Sequence, residues 1–110
     1  MNNVQLLGRL TKDFELSYQQ KTGLAIAKSS LAINRVGKKD EADFINIVAF
    51  GKQAESLAQY TKKGDRLLIN NGSINTGSYE NKEGKKVYTT DIIINSFSFI
   101  EYAEKENKNK

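Results

Sequence analysis

The sequence predicts an all-β domain with one helix, in which five strands close into a small Greek-key barrel. Three observations carry that expectation. Apolar and more polar residues alternate over several segments, as side chains on the two faces of a strand do. One segment, between the third and fourth strands, switches to the spacing of a helix. The last third of the chain is a long hairpin rich in β-branched and aromatic residues.

The first strand runs from Asn3 to Leu10, where Val4, Leu6, Gly8 and Leu10 alternate with other residues, and continues with a bend through Glu15 to Tyr18. Gly8 is the expected kink or bulge. Gln19 to Gly23 reads as a turn. Leu24 to Asn34 is the second strand, with Ala25, Ala27, Leu31 and Ile33 on one face. Arg35 to Glu41 carries charge without periodicity, so a loop is expected there. Ala42 to Phe50 is the third strand. From Lys52 to Lys63, Ala54, Leu57, Ala58 and Thr61 fall on one face of a helix. Lys62, Lys63 and Gly64 place cations in its expected last turn and a glycine stop after it. Arg66 to Tyr79 and Lys86 to Ile100 pair as a hairpin around Asn81 to Lys85. The order β-β-β-α-β-β is that of the OB-fold, a five-stranded Greek-key barrel that binds ligands across an open strand face. A plain antiparallel sandwich is the alternative.

The 110 residues are expected to form one domain over 1–101, followed by a short charged tail at 102–110. No apolar run approaches transmembrane length. Met1-Asn2-Asn3 lacks the charged head and apolar stretch of a signal peptide, and a cytoplasmic protein without membrane contact is expected. The chain has neither Cys nor His, which removes the usual zinc and iron ligands, thiol nucleophiles and His-dependent triads. Gly37-Lys38, Gly51-Lys52 and Gly84-Lys85 are followed by Lys39, Gln53 and Lys86, not by the Ser or Thr of a phosphate-binding P-loop. No catalytic residue, metal or cofactor is expected. Seventeen Lys and Arg against thirteen acids leave a net charge of +4, a balance that suits a polyanionic partner.

The stretch Asp43–Gly51, DFINIVAFG, says most about function. On a strand, Phe44, Asn46, Val48 and Phe50 point one way, and Ile45, Ile47 and Ala49 the other. The second set can line a core. The first mixes aromatics with an amide, as a platform for unpaired nucleic-acid bases would. On this strand alone, buried rings and an exposed platform are both open.

LLGRLTKDFELSY (Leu6–Tyr18), ADFINIVAFGKQAE (Ala42–Glu55), KKGD (Lys62–Asp65) and YENKEGKKVYTTDIIIN (Tyr79–Asn95) together resemble the bacterial and phage single-stranded DNA-binding protein family. The blocks keep the family's order and spacing over roughly residues 1–100. The resemblance implies an OB-fold protein, a homotetramer, that coats single-stranded DNA in replication, recombination and repair. It implies stacking roles for Phe44, Phe50 and Tyr79, and DNA contacts for Lys52 and Lys63. Arg9, Lys12, Arg35, Lys38, Lys39, Lys85 and Lys86 are further candidates for phosphate contacts. Tyr18, Tyr60 and Tyr88 read instead as core or interface residues, and Phe97 and Phe99 as packing at the barrel's end or between subunits. Asp13, Asp43 and Asp91 read as turn caps or partners of cations.

The chain also departs from the family pattern. A stacking aromatic falls near Gly37, where none is present, and Ile74–Ser78 lacks the usual cations. An extra residue between Gly64 and Gly72 is expected to put a bulge in the fourth strand. The end, Glu104–Lys110, has no acidic tip, so recruitment of repair proteins through such a tail is not expected. Two other readings stay open: an OB-fold module that grips proteins, and a magnesium-dependent enzyme acting on nucleic acid.

Overall fold

The structure, a computed structural model, describes residues 1–100 apart from the side chains of Lys38 and Lys39. The tail expected at 102–110 lies outside the described residues. The elements are β1 (Val4–Leu10), β2 (Glu15–Tyr18), β3 (Ala25–Arg35), β4 (Lys38–Phe50), α1 (Lys52–Tyr60), β5 (Arg66–Glu80) and β6 (Lys86–Phe99). They form one sheet in the order β1-β5-β6-β4-β3-β2, and a further pairing of β1 with β3 closes it. Arg9 pairs with Ala32 and Leu10 with Leu31 at that seam. The result is a barrel, not a sandwich. β2 is the bent continuation of β1, so the five expected barrel strands appear as six.

Alternation puts one face of each strand inside. Leu10, Ala27, Leu31, Ile47, Ala49, Leu67, Ile69, Ile92 and Ile94 form the core with Ala54 and Leu57 of α1. The β1–β2 break is held by buried hydroxyl chemistry: Ser29 Oγ donates to the Lys12 carbonyl at 2.9 Å. A buried hydroxyl so paired avoids the cost of desolvation without a partner.

Three expectations change. The loop expected over Arg35 to Glu41 is strand up to a two-residue turn at Val36 and Gly37, with Arg35 in register with Lys38. This part of the β3–β4 hairpin projects past the barrel, so no apolar face was needed and no periodicity marked it. Gly37, at φ 79°, supplies the turn. The helix stops at Tyr60, not Lys63, because Thr61 turns extended and both its N–H and its hydroxyl bond the Leu57 carbonyl. Lys62–Asp65 then forms a separate turn, tied by Lys62 N to Asp65 Oδ2 (3.0 Å) and by Lys63 N to Asp13 Oδ1 (2.7 Å).

Gly8 is not a bulge. It lies beside the seam, where a Cβ would stand 2.6 Å from the Ala32 carbonyl oxygen. The expected bulge in the fourth barrel strand is present: β5 and β6 shift register around Asn70, Asn71 and Gly72. Asn95 Nδ2 donates across it to Asn71 Oδ1 (3.1 Å) and Ser73 Oγ (3.0 Å).

Gly8→Ala therefore forces β1 away from the backbone of β3. It should lower unfolding free energy by about 1–3 kcal/mol in urea denaturation, the usual cost of overpacking.

Candidate nucleic-acid interface

The parity of β4 places Phe44, Asn46, Val48 and Phe50 on the outside of the barrel, and Ile45, Ile47 and Ala49 within it or against it. Phe44 is 70% exposed and Phe50 38%, whereas Val48 between them is only 8% exposed. The rings thus stand up from a floor. Their Cα atoms lie about 20 Å apart at the rise of an extended strand.

The face extends sideways through the ladder. On β3, Ala32, Ser30, Lys28 and Ile26 are the partners of Phe44, Asn46, Val48 and Phe50. On the other side Asn46 pairs with Asp91 of β6, and Asp91 with Asn75 of β5. Counting by twos from Asn75 reaches Gly77 and Tyr79, so Tyr79 shares the face of Phe44 and Phe50. It is 56% exposed. A groove of about 200 Å³ crosses the middle, lined by Lys12, Glu15, Lys28, Asn46, Val48 and Asp91 among others.

The parallel β4–β6 pairing sets the layout along the strands. The N-terminal ends of two parallel strands lie at one end of the barrel, so the β3–β4 and β5–β6 hairpins project from that same end. Phe44 and Tyr79 lie toward it. Phe50 lies toward the other end, where Gly51 leads into α1 and Lys52 begins it.

The structure separates the expected cations into groups. Lys12 lines the groove, with its ammonium 3.3 Å from Glu15 Oε1. The bond from Lys63 N to Asp13 holds Lys63 beside the same break in the chain. Arg9 continues the Phe44 row: Phe44 pairs with Ala32, Ala32 with Arg9, and Arg9 with Arg66. Arg9 Nη1 also donates to the Gly64 carbonyl at 3.1 Å. Arg35 is drawn to Asp43, at 2.9 Å, and Asp43 has the parity opposite to Phe44. Lys85 sits at the β5–β6 tip, while Lys86 is in register with Glu80, on the face opposite to Tyr79. For Lys38 and Lys39 only the strand position is described.

Asp13 and Asp43 act as expected, one capping a turn and one pairing with a cation. Phe97 and Phe99 pack edge to face at the barrel's end, with ring centroids 5.2 Å apart, and Phe99 meets Tyr60 at 6.4 Å. Tyr18, Tyr60 and Tyr88 are not core residues; all three rings are exposed. Tyr18 lies over α1, where its hydroxyl donates to Glu55 Oε2 at 3.2 Å. That hydrogen bond, more than slight burial and the carboxylate's charge, pushes the phenol's pKa up.

Lys28 and Arg66 were not among the residues expected at the site. Lys28 was legible, since it alternates with the buried Ala27 and Ser29 and shares the parity of Ile26 and Ser30. Arg66 joins only through barrel closure, which no local pattern reveals.

The face offers flat apolar rings separated by polar floor, with cations around them. It can stack planar groups and hold anions.

Residues 1–100 match the family described as the single-strand binding protein family. The chain is 54% identical over 101 residues to a single-stranded DNA-binding protein of Clostridium perfringens, covering 92% of this chain and 67% of that one. It is 47% identical over 110 residues to single-stranded DNA-binding protein 3 of Clostridium acetobutylicum, covering 97% and 76% respectively. A single-stranded DNA-binding protein of Streptococcus pneumoniae is 43% identical over 105 residues, 92% of this chain and 66% of that protein.

Because Phe44 is exposed and Ile47 fully buried on the same strand, their truncations should differ in urea denaturation. Phe44→Ala should cost under about 1 kcal/mol, and Ile47→Ala about 2–5 kcal/mol.

Proposed function

The chain belongs to the single-strand binding protein family, and we propose that it coats single-stranded DNA, without catalysis and with little regard to sequence. The observation that carries this reading is the placement of Phe44, Phe50 and Tyr79 on one continuous, exposed sheet face. Single-stranded DNA presents unpaired base faces, and every base has a π-face, so stacking on these rings discriminates little among sequences. Duplex DNA keeps its bases stacked on each other and cannot reach the platform.

Phosphates between the stacked bases meet cations. Lys12 and Lys63 serve the middle of the face, Lys52 the Phe50 end, and Arg9 the row beyond Phe44. Arg35, Lys38 and Lys39 on one hairpin and Lys85 and Lys86 on the other serve a strand that passes between or over the two. Binding then releases counterions from the DNA, and affinity falls with salt. We assign this binding to the domain over residues 1–101. A protein of this kind protects strands exposed in replication, recombination and repair, in the cytoplasm, and assembles as a homotetramer.

The test is fluorescence anisotropy of labelled oligo(dT) across salt concentrations, with a duplex of matched length as control. Log affinity should fall with log salt at about −0.7 per phosphate contacted. Phe44→Ala and Phe50→Ala should each weaken oligo(dT) binding by about 1–3 kcal/mol while the chain stays folded. Equal affinity for duplex and oligo(dT), or a double variant that binds as the parent does, would sink the reading and turn the search to a protein partner.

A further inference from the structure

The β5–β6 hairpin has a second face that the platform does not use. Tyr79 pairs with Val87, whereas the next residue, Tyr88, pairs with Ser78, so the two tyrosines stand on opposite faces. β6 pairs with β4 only at Asp91, Ile92 and Ile93. From Lys86 to Thr90 the described pairings give it β5 alone, and this part of the hairpin is a two-stranded ribbon. Tyr88 is 74% exposed, more than Phe44 or Tyr79.

We propose that Tyr88 is a further base-stacking position, reached when the same DNA strand passes from Tyr79 around the edge of β6. This rests on the single-stranded DNA reading above. Three features of the reverse face support it. The ring stands beside short hydroxyl side chains, Ser78 opposite it and Thr76 and Thr90 in the adjacent row, which leave its sides open to a planar group. The Lys86 ammonium lies 5.9 Å from the ring centroid, on the reverse face, where it can meet the phosphate of a stacked nucleotide. A protein partner would instead bury an apolar core at its contact, and near Tyr88 this face carries hydroxyls together with Lys86 and its register partner Glu80.

The route is also set by the edges. Beside β5, Asn2 clasps Ile74: its Nδ2 donates to the Ile74 carbonyl at 2.9 Å, and its Oδ1 accepts from Ile74 N at 2.8 Å. Beside β6 no described strand follows Asp91 toward the tip. Val87, the partner of Tyr79, is adjacent to Tyr88 in the chain, so the path crosses one strand edge. Lys86 then acts on the reverse side, and so does Arg35 on the other hairpin through its position at Asp43.

The experiment compares the parent chain with Tyr88→Ala and Tyr88→Phe, using oligo(dT) of about 5 and about 16 nucleotides, lengths that bracket the site of one OB-fold. Tyr88→Ala should leave the short oligonucleotide's Kd nearly unchanged and weaken the long one by about five-fold or more, with Tyr88→Phe close to the parent. Photocrosslinking the parent to the long oligonucleotide carrying 5-iododeoxyuridine should yield an adduct at Tyr88, a readout that needs no variant. Three results would overturn the proposal: long-oligonucleotide binding by Tyr88→Ala equal to the parent's, adducts confined to Phe44, Phe50 and Tyr79, or a changed oligomeric state of Tyr88→Ala in light scattering, which would place the ring between copies of the chain. A parent that binds no oligo(dT) would overturn the single-stranded DNA reading itself, and this proposal with it.

Discussion

Barrel closure is the constraint on which the rest depends. At its C-terminal end β1 pairs with β3 through Arg9 and Leu10, and on its other side with β5 up to Arg9. Two backbones meet there at a distance that leaves no room for a Cβ on Gly8. With the seam shut, each strand has an inside and an outside, and a one-residue slip would exchange them. The large side chains with no exposure at all, Leu31, Ile47, Leu57, Leu67 and Ile69, come from three strands of the barrel and from the helix. Their common burial is what holds Phe44 and Phe50 outward on the strand that buries Ile47.

The parallel pairing of β4 with β6 has the next largest consequence. Only three residue pairs make it, yet it sends two hairpins out of the same end of the barrel and carries the β4 face onto Tyr79. Both hairpins run past the core, and there the demand for an apolar side disappears. Charged and polar residues occupy both faces, and the ribbons present side chains in two directions. This is why the aromatic and basic residues of the hairpins divide between a front shared with Phe44 and a reverse that carries Tyr88, Lys86 and the Arg35–Asp43 pair. Exposed ion pairs of that kind contribute only about 0–1 kcal/mol, so Arg35 is held only loosely at Asp43.

Wherever alternation was enforced by burial, the sequence was easy to read. Ala25, Ala27, Leu31 and Ile33 marked the inside of β3, and the helical spacing of Ala54, Leu57 and Ala58 marked the buried side of α1. The errors fall where burial does not act. Arg35 to Glu41 looked like a loop because strand residues beyond the core need no pattern. The end of α1 was set by Thr61 and by Asp13, fifty residues from Lys63 in the chain, and a run of lysines before a glycine imitated a helix stop. Tyr18, Tyr60 and Tyr88 were read as core or interface from their places at a helix end or in mid-strand, and their exposure removes the core half of that reading.

By itself the sequence determined the strand periods, the order of elements, the face that bears Phe44 and Phe50, and the family likeness, since all of these are written in neighbouring residues. Tertiary structure decided what joins that face. Tyr79 comes onto it through two ladder pairings, Arg9 and Arg66 through the closed seam, and Arg35 is turned from it by Asp43. Each of these depends on which strands lie side by side, and strand adjacency in a closed barrel is a property of the whole chain folding around one core.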